Sequence, residues 1–463
     1  MSDKKIPGGQ TSYIINDNHA MKNKFSIVSF IGRPVDGCFL LGVVMTIAAC
    51  FLGDQTNAIL STLVLLGFMP LILKPVYLIG PIFFMTVFDD YLVAFSDQSF
   101  SRMCTLMFMF GVLICMLSRR NSARHQSYVF SLIFMAMMGI VLSYHTLFSY
   151  TAFPISYVTN LALAFFMMNC VPSDNKKVCW QLCIYSIISV LYIVILLLCN
   201  GIGTLAEGQR ISIATEVNPN QLAMGLVLVN VFLFCYFALG GFKYKLRYIS
   251  LIGLSYVGLF LTGSRSGLIA AFLSTIILLV ILQNGDKKKA KQVLTVAILV
   301  VAIFVLVYLF LQAKFPILMG RFTVENVIST GGTNRVAVWT AYFKYLFPSY
   351  WFFGIGFDPF NMYNAMQSIN GIGHGAHNIL VEILSKAGVF GLIVYSALFI
   401  GYFKTIFRNF KGNQAQLFSL GIILASIING IGEDVITGRF IWFGVGLGFL
   451  LMNKGSNRVA NPL

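Results

Sequence analysis

Runs of roughly 17–25 apolar residues, the length at which a helix crosses a bilayer, recur along nearly the whole chain. That recurrence leaves few folds open. In lipid every backbone polar group must find its partner within the structure, which only helices and closed barrels achieve. The period-two alternation of a transmembrane barrel is absent. The chain is also too poor in charge for a soluble domain: 10% of its 463 residues are charged and 58% hydrophobic, where soluble domains carry about 25% charged residues. It therefore reads as one all-α integral membrane domain. Fourteen candidate spans fall at 36–53, 57–73, 75–90, 103–118, 127–144, 150–170, 178–199, 219–241, 248–263, 264–283, 293–312, 377–402, 416–432 and 438–453. The weakest are 75–90, 150–170 and the tight turn between 248–263 and 264–283, so the expected count is twelve to fourteen.

The net charge of +16 does not imply a nucleic-acid partner. The basic residues lie in short clusters between apolar runs and form no continuous basic face. They follow the positive-inside rule instead. The first 35 residues are polar and basic and lack the three-part layout of a signal peptide, which places them in the cytoplasm. Every second connection is then cytoplasmic, and together with the tails these segments hold 23 of the 32 Lys and Arg. Examples are Arg119, Arg120 and Arg124, then Lys243, Lys245 and Arg247, then Lys287, Lys288, Lys289 and Lys291. Both tails, 1–35 and 454–463, are expected inside. Nine cysteines, mostly within apolar runs and with no CxxC pair, indicate neither a disulfide framework nor a thiolate metal site. Cys179 and Cys183, one helical turn apart, read as packing residues.

What remains on the outer side is informative. Its basic residues are Arg102, Arg210, Arg265, Lys314, Arg321, Arg335, Lys344, Lys386 and Arg439, most of them in the second half. The longest non-apolar stretch, an outer loop at 313–376, carries Arg321, Asn334, Arg335, Trp339, Asp358 and Asn361. Residues 36–199 read as a transmembrane scaffold, 200–402 as the catalytic region including that loop, and 403–453 as C-terminal helices.

Three helices that run inward begin with polar signatures: Asn218-Pro219-Asn220, Gly263-Ser264-Arg265-Ser266-Gly267, and His377-Asn378. Free backbone N–H groups at helix starts, joined by arginines, suit an anion, most commonly phosphate. Each piece has a plainer use. Asn218 and Pro219 suit an ordinary N-cap and first turn. Arg265 could snorkel to headgroups. Arg210 could be a solvated loop charge, and Arg335 could pair with Glu325 or Asp358. His374 and His377 lack the further ligands and the helical spacing of a zinc site, so no metal is expected. His377 is the preferred general base, because a helix N-terminus disfavours the imidazolium and keeps the ring neutral. His374 is the second candidate. His19, His125 and His145 read as structural or incidental.

A neutral base beside several arginines fits one reaction class. A diphosphate leaving group held by guanidinium groups needs no protonation, while the base deprotonates an incoming hydroxyl. That is glycosyl transfer from a lipid diphosphate at the outer surface. No P-loop, nucleotide-binding pattern or catalytic carboxylate pair is present, and no cofactor is expected.

The order of Arg210, Asn218-Pro219-Asn220, Thr262-Gly263-Ser264-Arg265-Ser266-Gly267, Thr333-Asn334-Arg335 with Trp339, Gly354-Ile355-Gly356, and His377-Asn378 with Leu380, Leu384, Gly388 and Gly391 resembles the O-antigen ligase and Wzy-type polysaccharide polymerase superfamily. The resemblance covers roughly residues 200–395. It implies a GT-C-like, metal-independent, inverting glycosyltransferase acting on undecaprenyl-diphosphate-linked oligosaccharide in the bacterial cytoplasmic (inner) membrane. In that family the histidine before asparagine, here His377, is the proposed base. Arg265 and Arg335 match the arginines implicated in diphosphate binding, and Arg210 matches a third more loosely. Asn378, Asn218, Asn220, Ser264 and His374 are secondary candidates. A chain-length regulator and a flippase are implied as partners. About fourteen spans, against the twelve usual for ligases, together with the extended N-terminus favour the polymerase over the ligase. A lipid-linked oligosaccharide flippase is the rival from another class; it would place ionisable groups along a central membrane path, whereas most spans here have bare centres.

Overall fold

The computed structural model describes residues 72, 74–87, 100–118, 137, 155–170, 175–199, 219–239, 245–283, 287–323, 325, 335–357, 364–367, 369, 375–409 and 414–452. Among these residues the protein is all-α, with fourteen helices and no strand. A 3-10 turn at Pro75–Leu78 leads into α1 (Ile79–Val87), followed by α2 (Phe100–Ser118), α3 (Ile155–Asn169) and α4 (Asn175–Cys199). Next come α5 (Pro219–Leu239), α6 (Lys245–Leu261), α7 (Arg265–Gln283) and α8 (Lys287–Lys314). Three short helices follow: α9 (Pro316–Met319), α10 (Arg335–Ala341) and α11 (Phe347–Tyr350). The chain continues through α12 (Ile379–Asn409), α13 (Gln414–Asn429) and α14 (Arg439–Met452).

Eleven of the fourteen candidate spans coincide with α1 to α8 and α12 to α14. The other three, 36–53, 57–73 and 127–144, lie outside the described residues except for residues 72 and 137. By length and composition one helix, Ile379–Phe407, can cross a membrane, and ten further apolar helices are shorter, at 10–17 residues. The expected outer loop at 313–376 is described in part. Its described parts include α9, a 3-10 turn at Gly320–Phe322, α10, a π-helical turn at Tyr342–Leu346, α11 and the irregular segment 351–357.

Position within the bundle follows from how the apolar residues are distributed. α5 is apolar on all sides, so it has no face to give to solvent, and every residue from 222 to 235 is buried. It packs against α4, α6, α7 and α13. α14 lies between α3 and α13, and the hydroxyls of Tyr157 on α3 and Tyr395 on α12 hydrogen-bond each other. α8 is peripheral. Leu294, Ile298, Leu306, Leu309 and Phe310 are all more than half exposed on it, an apolar surface suited to a lipid environment.

The break in α12 places the candidate site. Gly388 has φ 65 and ψ −164, which divides the helix into Ile379–Ala387 and a second part from Val389 to Asn409. The groups freed by the break bond residues 351–356. Ile355 N–H donates to Ser385 C=O at 2.6 Å and Gly356 N–H to Lys386 C=O at 3.1 Å. In the other direction Val389 N–H donates to Trp351 C=O at 2.8 Å and Phe390 N–H to Phe352 C=O at 3.1 Å. Buried backbone groups must be paired, and here two segments of irregular chain complete each other. Gly354, also left-handed at φ 73, lies against the Lys386–Ala387 peptide.

A β-carbon at Gly388 would strike the Phe352 carbonyl as well as straining φ. Gly388→Ala is expected to destabilise the protein by at least about 1–3 kcal/mol, read as a lowered thermal midpoint in detergent. Gly401→Ala, on the same helix with nothing within 4 Å of its would-be β-carbon, is the control and should leave the midpoint level or raise it.

Candidate active site

One short loop, Gly430–Gly438 between α13 and α14, gathers the site. On one side it touches the start of α7: a β-carbon on Gly432 would lie 2.8 Å from Ser266 Cβ and 3.1 Å from Arg335 Nη1. On the other side it is bonded to the first half of α12. Ile379 N–H donates to Gly430 C=O at 2.6 Å and Asn378 Nδ2 to Ile431 C=O at 3.2 Å.

Glu433, in the middle of that loop and nearly buried, joins the two sides. Its Oε1 accepts from Arg335 Nη2 at 3.1 Å, and its Oε2 lies 3.3 Å from His377 Nδ1. Arg335 is the first residue of α10, whose Trp339 stands one turn further on and donates from Nε1 to Ala376 C=O at 2.8 Å. The same short helix therefore delivers a guanidinium to Glu433 and pins the residue before His377. Val338 and Tyr342 bury against Met366, Ala376 and Val381 beside it.

His377 itself has φ 46, the one positive φ at a non-glycine among the described residues. Histidine tolerates this region better than most side chains, but it remains uncommon. The backbone turns there before the helix begins, and Asn378 supplies the N-cap. Its Oδ1 accepts from Leu380 N–H at 3.0 Å and Val381 N–H at 3.3 Å. The helix-start argument alone sets the pKa of His377 downward. The structure reverses that direction: hydrogen bonding to Glu433 raises it above the ordinary histidine value, against a lowering by burial, with the charge of Asp434 adding to the rise and that of Arg335 opposing it. With Nδ1 facing a carboxylate, Nε2 is the nitrogen left to meet a substrate.

The arginines converge as well. Arg265 donates from Nε to the carbonyl of Arg321 at 2.8 Å and feels the charges of Arg321 and Arg335. Three guanidinium groups thus share one end of the bundle, where Arg335 pairs with the carboxylate of Glu433. The Nε atoms of Arg321 and Arg335 are buried with no hydrogen-bond partner. Like charges held together with donor capacity to spare make a site for a multiply charged anion.

Residues 248–396 match the family model described as O-antigen ligase. The match to the O-antigen ligase family thus covers part of the chain. The matched stretch runs from α6 into α12 and includes Arg265, Arg335 and His377, but ends before Glu433. It also begins after Arg210 and Asn218, so the earlier part of the motif order stands outside it. No curated protein and no solved structure matches the chain significantly.

Of the other residues singled out in the sequence, Arg210, Asn218 and His374 lie outside the described residues. Ser264 is occupied with capping: its Oγ accepts from Gly267 N–H at 3.3 Å at the start of α7. Asn220 stands in the first turn of α5, one turn before Ala223, which packs against Gly267. Arg335 pairs with Glu433; Asp358, one of the two acids nominated from sequence, lies outside the described residues.

The sequence reading missed Arg321 as a cluster member and all the acids of the site. Asp434 lies beside Gly375, and burial, with the nearby charge of Glu382, pushes its pKa up to about 6. Glu382, wholly buried, accepts from Val435 N–H (2.7 Å), Ile436 N–H (2.9 Å), Thr437 N–H (3.2 Å) and Oγ (3.0 Å), and Lys386 Nζ (2.8 Å). An ion pair therefore sits in the first half of α12. One available signal was simple: Glu433-Asp434 is an acidic pair in a short connection between two apolar runs, where charge is rare and functional by default.

Replacing Glu433 by Gln removes the main cause holding protons on His377. The ring titration in Glu433→Gln is expected to move to lower pH, measured by NMR of ring-labelled histidine with the His377 signal assigned from its loss in His377→Asn. An unmoved titration would mean that the 3.3 Å pairing does not operate in solution.

Proposed function

We propose that the protein is a polysaccharide polymerase of the cytoplasmic membrane. It would transfer a growing glycan from undecaprenyl diphosphate to a hydroxyl of another lipid-linked repeat unit, with inversion and without metal. The observation that carries this reading is Glu433, which joins His377 to Arg335 next to Arg265 and Arg321. The partial match to the O-antigen ligase family supports a lipid-linked glycan as substrate.

In this mechanism Nε2 of His377 removes the proton of the acceptor hydroxyl as its oxygen attacks the anomeric carbon. The bond from that carbon to the diphosphate oxygen breaks, and undecaprenyl diphosphate leaves with the bonding pair. Arg265, Arg321 and Arg335 hold the charge that develops on the leaving group, so no acid is required. Glu433 stabilises the imidazolium formed, which then returns its proton to solvent. The positive-inside pattern sets the site on the outer face, with both tails cytoplasmic.

A ligase transferring the glycan to lipid A–core would use the same groups, and the description of the matched family favours that second reading. Transport has less support. The ionisable groups inside α12, Glu382 and Lys386, are engaged with protein partners.

The deciding experiment supplies purified protein with a lipid-diphosphate-linked repeat unit alone, in excess chelator. A ladder of products is expected; transfer only after lipid A–core is added would make the protein a ligase. In the same assay His377→Ala should lose turnover by at least about a hundred-fold while inserting normally. Arg265→Lys and Arg335→Lys should recover little of what the alanine variants lose, because a lysine cannot make the two-point contact. Full activity in His377→Ala would remove the proposed base.

A further inference from the structure

We propose that Glu382 is a positioning residue: its buried carboxylate gathers the amides of Val435, Ile436 and Thr437 and thereby holds Glu433 against His377. The inference rests on the reading of His377 as the base, and concerns what keeps that base in working order.

The geometry is specific. Three successive N–H groups of one irregular loop converge on a single carboxylate, Val435 and Ile436 on Oε2 and Thr437 on Oε1. These amides lie in the irregular chain before α14 and have no helical partner of their own, so the carboxylate supplies the acceptor that buried N–H groups need. Lys386, one turn along, neutralises the same carboxylate and also reaches Thr437 Oγ at 3.2 Å. Thr437 is fixed from a third side, where its carbonyl accepts from Asn160 Nδ2 at 3.0 Å.

Glu382 stands five residues after His377, and Val435 two residues after Glu433. The two partners of the His377–Glu433 pair thus sit on strips of chain joined at both ends: by Ile379 N–H to Gly430 C=O before Glu433, and by the Glu382 cluster after it. A glutamine at 382 offers one acceptor oxygen and sets an NH₂ against donors, so it cannot hold all three amides. The charged groups facing His377 are Glu433 and Asp434 from the loop and Arg335 from α10; only the first two move with the loop.

The test uses full-length purified protein and a lipid-diphosphate-linked repeat unit. Glu382→Gln is compared with the double variant E382Q/K386M, which leaves no lone ammonium buried and guards against simple misfolding; thermal unfolding gives the folded fraction of each. In both, kcat is expected to fall about ten-fold while the donor KM stays within about two-fold. The acidic limb of the kcat profile should move to lower pH together with the ring titration of His377. The sign follows from chemistry: a carboxylate drawn away from Nδ1 no longer favours the imidazolium, so the ring is free base at lower pH. A limb and a ring titration that stay in place, with turnover tracking only the folded fraction, would overturn the positioning role. A moved titration with unchanged turnover would keep that role and remove His377 as the base.

Discussion

The carboxylate of Glu433 is shared between Arg335 and His377, and the character of the site follows from that division. Without the acid, a guanidinium and an imidazole would meet as two cations at a partly buried position, each disfavouring the other's charge. With it, the arginine is oriented and the histidine becomes a better proton acceptor. A buried or half-buried carboxylate of this kind is tolerable because both of its oxygens have partners. It also divides the site by role. Arg265 and Arg321 lie on the arginine side, where an anion would be held, and Asp434 and Gly375 lie on the histidine side.

The loop that carries Glu433 is short and irregular, so its order comes from its neighbours. Most of that order comes from the first half of α12, which exists as a separate piece because the helix breaks at Gly388. An unbroken helix would have no free groups for residues 351–356 to bond, and those residues could not approach with the closeness seen at Gly354. The break thus serves two tasks. It seats the segment 351–356, and it ends the half-helix whose Asn378, Ile379, Glu382 and Lys386 grip the loop. Leaving any of the three gathered amides unpaired would cost about 1–3 kcal/mol, which gives a buried Glu382–Lys386 pair a purpose that apolar residues could not serve.

Much of this was legible in the sequence, and the pattern of success has a physical reason. Helices announce themselves by apolar length, so α1 to α8 and α12 to α14 fall where the apolar runs predict. Arg265, Arg335 and His377 stood out because cations and histidines on the side disfavoured by topogenesis need a reason to be there. The acids had no such rule to expose them, because Asp and Glu contribute little to topology. Glu382 and Lys386 were hidden inside an apolar run whose average hydropathy masks two charges one turn apart. The direction of the His377 pKa was misread because a helix-end argument sees only the local backbone, and the dominant neighbour is 56 residues away. Arg321 was named on the outer loop without a role; its place emerges through the contact of Arg265 with its carbonyl. Gly388 was noted as part of a motif, but a left-handed break cannot be distinguished from an ordinary helical glycine by spacing.

The location of the Gly430–Gly438 loop also bears on when the site comes into being. Synthesis proceeds from the N-terminus, so Arg265, Arg321, Arg335 and His377 all leave the ribosome before the carboxylate that unites them. Until the hairpin of α13 and α14 has inserted and docked, the guanidinium groups repel one another and the imidazole has no counter-charge. The cluster is therefore complete only once α13 and α14 have docked, and a chain halted short of α14 carries the arginines and the histidine without the acid that joins them.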